Sequence, residues 1–346
     1  MKNTRIAGLD IIKALAAFFV VSVHFLLNTN FYKLKLSGFG MYIFVGIRNL
    51  LLTCVPLFLL ATGYLNRNKE PNKEYYKGII KVLISYVFIC VLCIIFRKFY
   101  FGEEKRLLAW AASIFNFSAN GYSWYIEMYI GLFLLIPYLN ILYKSLETKK
   151  KKTGLIFTFL TLTSVPSIIN GIKLLDFRLF VMPDWWINLY PISYYFLGSY
   201  IAEHKPQLNS KKIILYIIVF LLVQSNIYWA INKGGRFYGP YLGQYQNIIT
   251  LIISVLIFIL FYNKDIKNKY IKELIFKISK YSLDLFLFSY IIDLKIYSQV
   301  NSIVTTPKER VFIMIPTVIL SFTLSFILAY LKNNLFELIQ KNKKST

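Results

Sequence analysis

The sequence predicts an all-α, polytopic integral membrane protein: a single bundle of about ten transmembrane helices with both termini in the cytoplasm. Three observations predict it. Of 346 residues, 57% are hydrophobic and only 16% charged, and the mean hydropathy is +0.55, whereas soluble domains carry about 25% charged residues. Apolar stretches long enough to cross a bilayer, about 20 residues each, recur along the whole chain. Lys and Arg then divide unevenly between the two sides of those stretches. The 30 Phe and 27 Tyr exceed what one soluble core of this size hides, and they suit lipid and its interfaces.

Taken in order, the first stretch, at about 8–28, follows Lys2 and Arg5. It resembles a signal peptide in charge but lacks a small-residue cleavage site, so it is expected to stay attached. The second, at about 43–64, contains Arg48, and the third, at about 79–98, holds Cys90 and Cys93 one helical turn apart, which with Cys54 read as packing thiols. A short interfacial helix is predicted at 107–118, before the fourth stretch at about 122–142. The fifth, 154–172, contains Pro166 and Asn170, and the sixth, 185–202, contains Asn188 and Pro191. Such groups within spans face other helices, where freed backbone groups find partners. Stretches at about 212–231, 246–263, 279–294 and 310–331 complete the set, the ninth with two Asp. No internal repeat and no Gly/Ser linker divides the chain.

Orientation follows from the basic residues. With the amino terminus inside, 25 of the 40 fall on cytoplasmic segments and 13 on outer loops, with Lys13 and Arg48 inside spans. This bias accounts for the net charge of +24, which in a soluble chain would suggest nucleic acid. The run Lys149–Lys152 reads as a topology anchor.

A charge at the bilayer centre costs about 3 kcal/mol on insertion scales, so each one that persists is a functional candidate. The first stretch reads GLDIIKALAAFFVVSVHF and carries Asp10, Lys13 and His24. Eleven residues at about 100° each bring His24 within about 20° of Lys13 around the helix, roughly 16 Å further along it. Asp10 lies one turn from Lys13, close enough to pair with it. A cation at the cytoplasmic mouth suits an anionic ligand, and a deeper imidazole suits a general base or an acyl acceptor. The same spacing also fits a helix-start ion pair with His24 as a buried interhelical hydrogen bonder. His204 reads as a loop residue. Glu127, in YSWYIEMYIGLF, either pairs with Arg48 or Lys13, or orients or protonates His24. Trp124 and Tyr125 are candidates for an interfacial belt and for substrate contact, and Trp185 and Trp186 for an outer anchor or an aromatic platform that stacks on a sugar ring. Asp284 reads as a hydrated residue near the cytoplasmic end of its span. No metal-ligand cluster, Gly-rich phosphate loop or Ser-His-Asp order is legible.

GLDIIKALAAFFVVSVH (8–24), VPLFLLATGYL (55–65), YYKGIIKVLISY (75–86), SWYIEMYIGLFLLIPYLN (123–140) and YYFLGSYIA (194–202) together carry a resemblance. They are similar to motifs of the polytopic membrane acyltransferases of the acyltransferase three family, whose bacterial members typically acylate hydroxyls of cell-surface carbohydrates. Lys13 stands where the family more often has Arg, with ten residues between it and the His. Thr62 replaces a Ser, and Ser85 stands where Pro is frequent. The family often ends its ninth helix with a His, where this chain has Ser289, so no role of that His carries over. The resemblance implies an acyl-coenzyme A donor, usually acetyl-coenzyme A, entering from the cytoplasm. Its phosphates would meet Lys13, Arg67, Lys77 or Lys81, and its acyl group would reach His24. Arg48 is the candidate for stabilising charge on the reacting carbonyl or for holding the donor.

The reading this supports is an O-acyltransferase of the bacterial cell membrane that modifies a surface or lipid-linked polysaccharide. Its rivals are an exporter or flippase of that polysaccharide or its lipid-linked precursor, and a scaffold within a synthesis complex. Transporters often show paired broken helices in two matching halves, and no such symmetry is present here.

Overall fold

The computed structural model describes residues 5–170, 183–232, 234–237, 244–303 and 307–345. Lys2, residues 171–172 of the fifth predicted span and the outer-loop residues Lys173, Arg178 and Lys233 lie outside them. Helices dominate the described residues, and seven of those helices are long and apolar enough to cross a membrane: Ala7–Asn28, Gly38–Asn66, Lys73–Phe101, Trp124–Ser145, Lys149–Ile169, Ser210–Asn232 and Glu309–Asn342. The apolar helix Ile248–Phe261 is shorter.

The first helix, α1 (Ala7–Asn28), is almost wholly apolar and buries Ile12, Ala16, Val21 and Phe25 at the centre of the bundle. At 1.5 Å per residue it is about 33 Å long, enough for the hydrocarbon layer. The second predicted span breaks at Leu52 and Thr53 into α2 (Gly38–Leu51) and α3 (Cys54–Asn66). Two close approaches fix α3 against α9 (Tyr190–His204). A Cβ on Gly63 would lie 2.0 Å from the Tyr195 carbonyl oxygen, and one on Gly198 2.1 Å from that of Leu60. Only glycine permits this backbone proximity, the membrane form of small-residue packing.

Asn72 caps α4 (Lys73–Phe101) by accepting from the Tyr75 amide. The predicted interfacial helix is present as α5 (Leu107–Phe115), followed by α6 (Trp124–Ser145). The lysine run read as a topology anchor opens α7 (Lys149–Thr163), capped by Thr148. Ser164 and Pro166 separate α7 from α8 (Val165–Ile169), because proline cannot donate to the continuing helix. After α10 (Ser210–Asn232) and α11 (Ile248–Phe261), the latter capped by Asn247, comes an element not foreseen, α12 (Lys269–Lys280), capped by Asn268. It carries lysines on one side and exposes Tyr270, Ile271 and Leu274 on another, the pattern of a helix lying at an interface. Two long helices, α13 (Ser282–Ile303) and α14 (Pro307–Ser345), finish the chain.

Contacts order the helices between two ends of the bundle. At one end Arg5 donates to the Phe276 carbonyl and Lys280 pairs with Glu337 at 3.0 Å. Asn140 bonds the carbonyls of Asn66 and Lys69 there too, in line with an alternating path. At the other end Asn301 and Arg310 donate to the carbonyls of Asn28 and Thr29.

Two expectations are corrected. Asp10 does not pair with Lys13: Arg5 grips it through two bonds of 2.6 and 2.8 Å, and Ser279 donates to it at 2.6 Å. The planar guanidinium matches a carboxylate better than an ammonium does. Asp284 is not hydrated: it is buried, pairs with Lys332 at 2.9 Å and accepts from Ser85 and Asn333. The α14 helix, packed along α13, brings Lys332 and Asn333 to it, and α4 brings Ser85.

Candidate functional site

Two adjoining cavities run along α1. The wider one, about 490 Å³, lies toward the carboxyl end of that helix and is lined by His24, Arg48, Tyr122, Trp124, Tyr190 and Tyr245 among others. The narrower, about 170 Å³, lies toward the amino end and is lined by Lys13, Thr62, Tyr125, Tyr129 and Ser282. Val20, Val55 and Phe286 belong to both walls, so the two meet at an apolar waist. The shared face of Lys13 and His24 thus looks onto two adjoining cavities.

His24 is held from several sides. Its ring stacks on Tyr122 with centroids 3.6 Å apart and planes 24° apart. Tyr122 is fixed by the turn before α6, where its amide donates to Asn120 Oδ1 and Asn120 in turn bonds the Leu287 carbonyl. His24 Nδ1 faces Asp293 Oδ2 of α13 at 3.6 Å, without a hydrogen bond. The carboxylate of Asp293 is buried and receives the Tyr122 hydroxyl at 2.8 Å and the Ser321 hydroxyl at 2.6 Å. Asn28 donates to the Tyr122 hydroxyl, closing the network. A buried carboxylate fixed by two hydroxyls beside an imidazole favours the tautomer with its proton on Nδ1 and leaves Nε2 as the basic atom. Among the described residues no side chain or backbone group hydrogen-bonds the His24 ring.

Arg48 lines the same cavity through an aromatic cage. Its guanidinium lies 4.7 Å from the Phe237 ring centroid, 5.5 Å from that of Tyr228 and 5.7 Å from that of Tyr32, a setting in which a buried cation gains from the ring faces. Its Nε donates to the Tyr32 hydroxyl at 3.3 Å and Nη1 to Asn49. Local folding places these rings. A turn with Asn30 in the left-handed region (φ 58°) follows α1, and the next residues pair with 234–236 through Leu36 and Gly235, which lays Tyr32 and Phe237 over α2.

Lys13 sits at the far end of the two cavities. Arg5 takes Asp10, and among the described residues Lys13 forms neither a hydrogen bond nor an ion pair, so its ammonium is left for the narrower cavity. Tyr125 lines that cavity, whereas Trp124, one residue earlier, lines the wider one and stacks on Tyr245 at 5.7 Å. The other predicted residues lie elsewhere. Arg67 donates to the Tyr64 carbonyl at the end of α3, and Lys77 pairs with Glu74 on the exposed start of α4, with Lys81 exposed one turn on. Glu127 lines a separate cleft between α6 and α9. Trp185 and Trp186 are exposed, at 89% and 55%, outside the three cavities described.

Sequence reasoning missed Asp293 and Tyr122. Asp293 was countable as the second acidic residue of the ninth span, but its partner is on a helix far away in sequence. Ser289, where a family His was expected, is buried and bonds the Phe286 carbonyl one turn back. Asp293, one turn beyond it, is what meets the imidazole.

A family model described as an acyltransferase domain matches residues 6–331. The comparison with curated proteins and that with solved structures each returned no match.

Proposed function

Since the chain belongs to the acyltransferase three family, a family of membrane acyltransferases, we propose that it is an O-acyltransferase that moves an acetyl group from acetyl-coenzyme A to a carbohydrate hydroxyl. In this reading ten helical segments cross a bacterial cell membrane and both termini are cytoplasmic. The donor enters at the Lys13 end, the acceptor is a surface or lipid-linked polysaccharide, and it meets the donor at the His24 end. The observation that carries the reading is the pair of cavities: a lysine with no hydrogen bond or ion pair among the described residues at one end and an imidazole 3.6 Å from a buried carboxylate at the other, with Val20, Val55 and Phe286 in both walls.

Each residue has a task. Lys13 attracts the donor's phosphates at the aqueous mouth, with Arg67, Lys77 and Lys81 adding to the basic approach. The narrow cavity admits a slender arm and keeps bulk water from the thioester. His24 Nε2 takes the proton of the acceptor hydroxyl as its oxygen attacks the thioester carbonyl. The C–S bond then breaks and the coenzyme leaves as a thiol, carrying the proton from His24. Arg48 stabilises the carbonyl oxygen as negative charge gathers on it. The buried Asp293 carboxylate, 3.6 Å from Nδ1, faces the positive charge that the ring acquires as it takes the proton. Trp124 and Tyr125, on either side of the waist, offer rings to the substrates, and Glu127 contributes from the neighbouring cleft. Trp185 and Trp186 anchor the outer interface.

The test is transfer of label from radiolabelled acetyl-coenzyme A to carbohydrate by membranes that contain the protein, compared with membranes that lack it. Label in the carbohydrate supports the reading. A surface polymer that disappears entirely on deletion, with no change in acylation, would mark an exporter instead.

A further inference from the structure

Beside the His24 cavity lies a second opening, a cleft of about 470 Å³ between α6 and the start of α9. Met128, Gly131, Leu132, Leu135 and Ile192 give it apolar walls, and Leu135 is 45% exposed on the side of the bundle. Neighbouring Leu134 and Tyr138 are exposed too, so the cleft opens on the face of α6 that meets lipid. Trp124, Asn188 and Tyr190 line both this cleft and the His24 cavity, which makes the two contiguous.

Two polar side chains, Glu127 and Asn188, stand in that apolar setting. Glu127 is exposed in the first turn of α6, where the positive end of the helix favours its charge. A carboxylate facing lipid costs about 3 kcal/mol on insertion scales, a cost that hydroxyl donors offset. Among the described residues that line the cleft none is basic, so none of them favours a phosphate. Two aromatic rings, Trp124 and Tyr190, stand where the cleft meets the cavity, suited to the faces of a sugar. Gly131 enlarges the cleft without serving packing: a Cβ there would meet nothing within 4 Å.

We propose that this cleft is a lateral entrance through which a glycosyl lipid with an uncharged sugar head reaches His24 from within the bilayer. The acyl chain lies along Met128, Leu132 and Leu135, the sugar hydroxyls donate to Glu127 and Asn188, and the reacting hydroxyl passes between Trp124 and Tyr190. The assignment of the head as acyl acceptor rests on the function proposed above; the assignment of the cleft as a lipid site does not.

Photo-crosslinking tests it. Protein in nanodiscs of phosphatidylethanolamine and phosphatidylglycerol is given a glucosyl diacylglycerol with a diazirine in its acyl chain, or the same diacylglycerol without sugar. Crosslinks from the sugar-bearing probe should concentrate at 124–135 and 188–192, several-fold above the sugar-free probe. Gly131→Trp should lower them at least five-fold, and Gly131→Leu in the same direction. Leu134→Trp, on the same helix outside the cleft, should not, and melting curves would verify that the variants fold. Equal labelling by both probes, or labelling that a folded Gly131→Trp protein retains, would overturn the proposal. His24→Ala should crosslink like the parent. Crosslinking without acyl transfer would refute the proposed reaction while upholding the cleft.

Discussion

His24 and Asp293 are the pair on which the chemistry turns. The carboxylate is buried, held by the hydroxyls of Tyr122 and Ser321, and lies 3.6 Å from Nδ1. Asp293→Asn keeps the shape but removes the negative charge that faces the ring. It should lower kcat by about 10- to 100-fold, the scale of losing an orienting partner, with KM for the donor little changed. Steady-state kinetics on purified protein measures that split, and an unchanged kcat would leave Asp293 a packing residue. Lys13→Ala should act in the opposite sense, raising KM for acetyl-coenzyme A with a smaller change in kcat, since it acts on donor binding. The face of α1 that lines both cavities was legible in advance. Periodicity alone aligned Lys13 with His24, because a helix repeats its face predictably. What periodicity could not reach was the far side of each contact: Asp293 is 269 positions from His24, as Ser279 is from Asp10, and no local pattern encodes such a pairing.

At the scale of helices, glycine contacts and buried charges govern stability. Gly63 and Gly198 bring α3 and α9 into backbone contact, and Ser199 donates to the Gly63 carbonyl at 3.2 Å. Gly198→Val should therefore cost about 1–3 kcal/mol through forced separation, visible as a lower melting temperature in detergent. Gly131→Ala on the open face of α6 should leave that temperature unchanged or raise it. The Asp284 and Lys332 pair links α13 to α14. Lys332→Met strands a buried carboxylate and should destabilise by about 3–5 kcal/mol, and adding Asp284→Asn should recover much of the loss. A double-mutant melting series decides this, and additive losses would contradict it. Element positions were readable because apolar length is written in composition, and α5 appeared where expected. The breaks at Leu52 and Ser164 depended on packing and on Pro166, and the separate α12 was hidden because its apolar and lysine faces alternate too closely to register as a span.

Across the whole molecule, the two cavities along α1 have ends of different character. At one end Arg5, Lys280 and Lys332 are each paired with a carboxylate while Lys13 lines the smaller cavity; the other end gathers aromatic rings around His24 and Arg48. That asymmetry supports a reading with an anionic donor on one side and a hydroxyl-rich acceptor on the other. Single cysteines placed near residues 5 and 337 should react with a membrane-impermeant thiol reagent only after the cytoplasmic side is opened, in a background with Cys54, Cys90 and Cys93 replaced. Reaction from outside intact cells would invert the assigned orientation. The most direct test of the central claim is acetyl transfer by His24→Ala and His24→Gln proteins in membranes at matched protein levels, with donor binding followed in parallel. Loss of transfer with donor binding preserved is the predicted result. Transfer at the parent's rate from either variant would contradict the account.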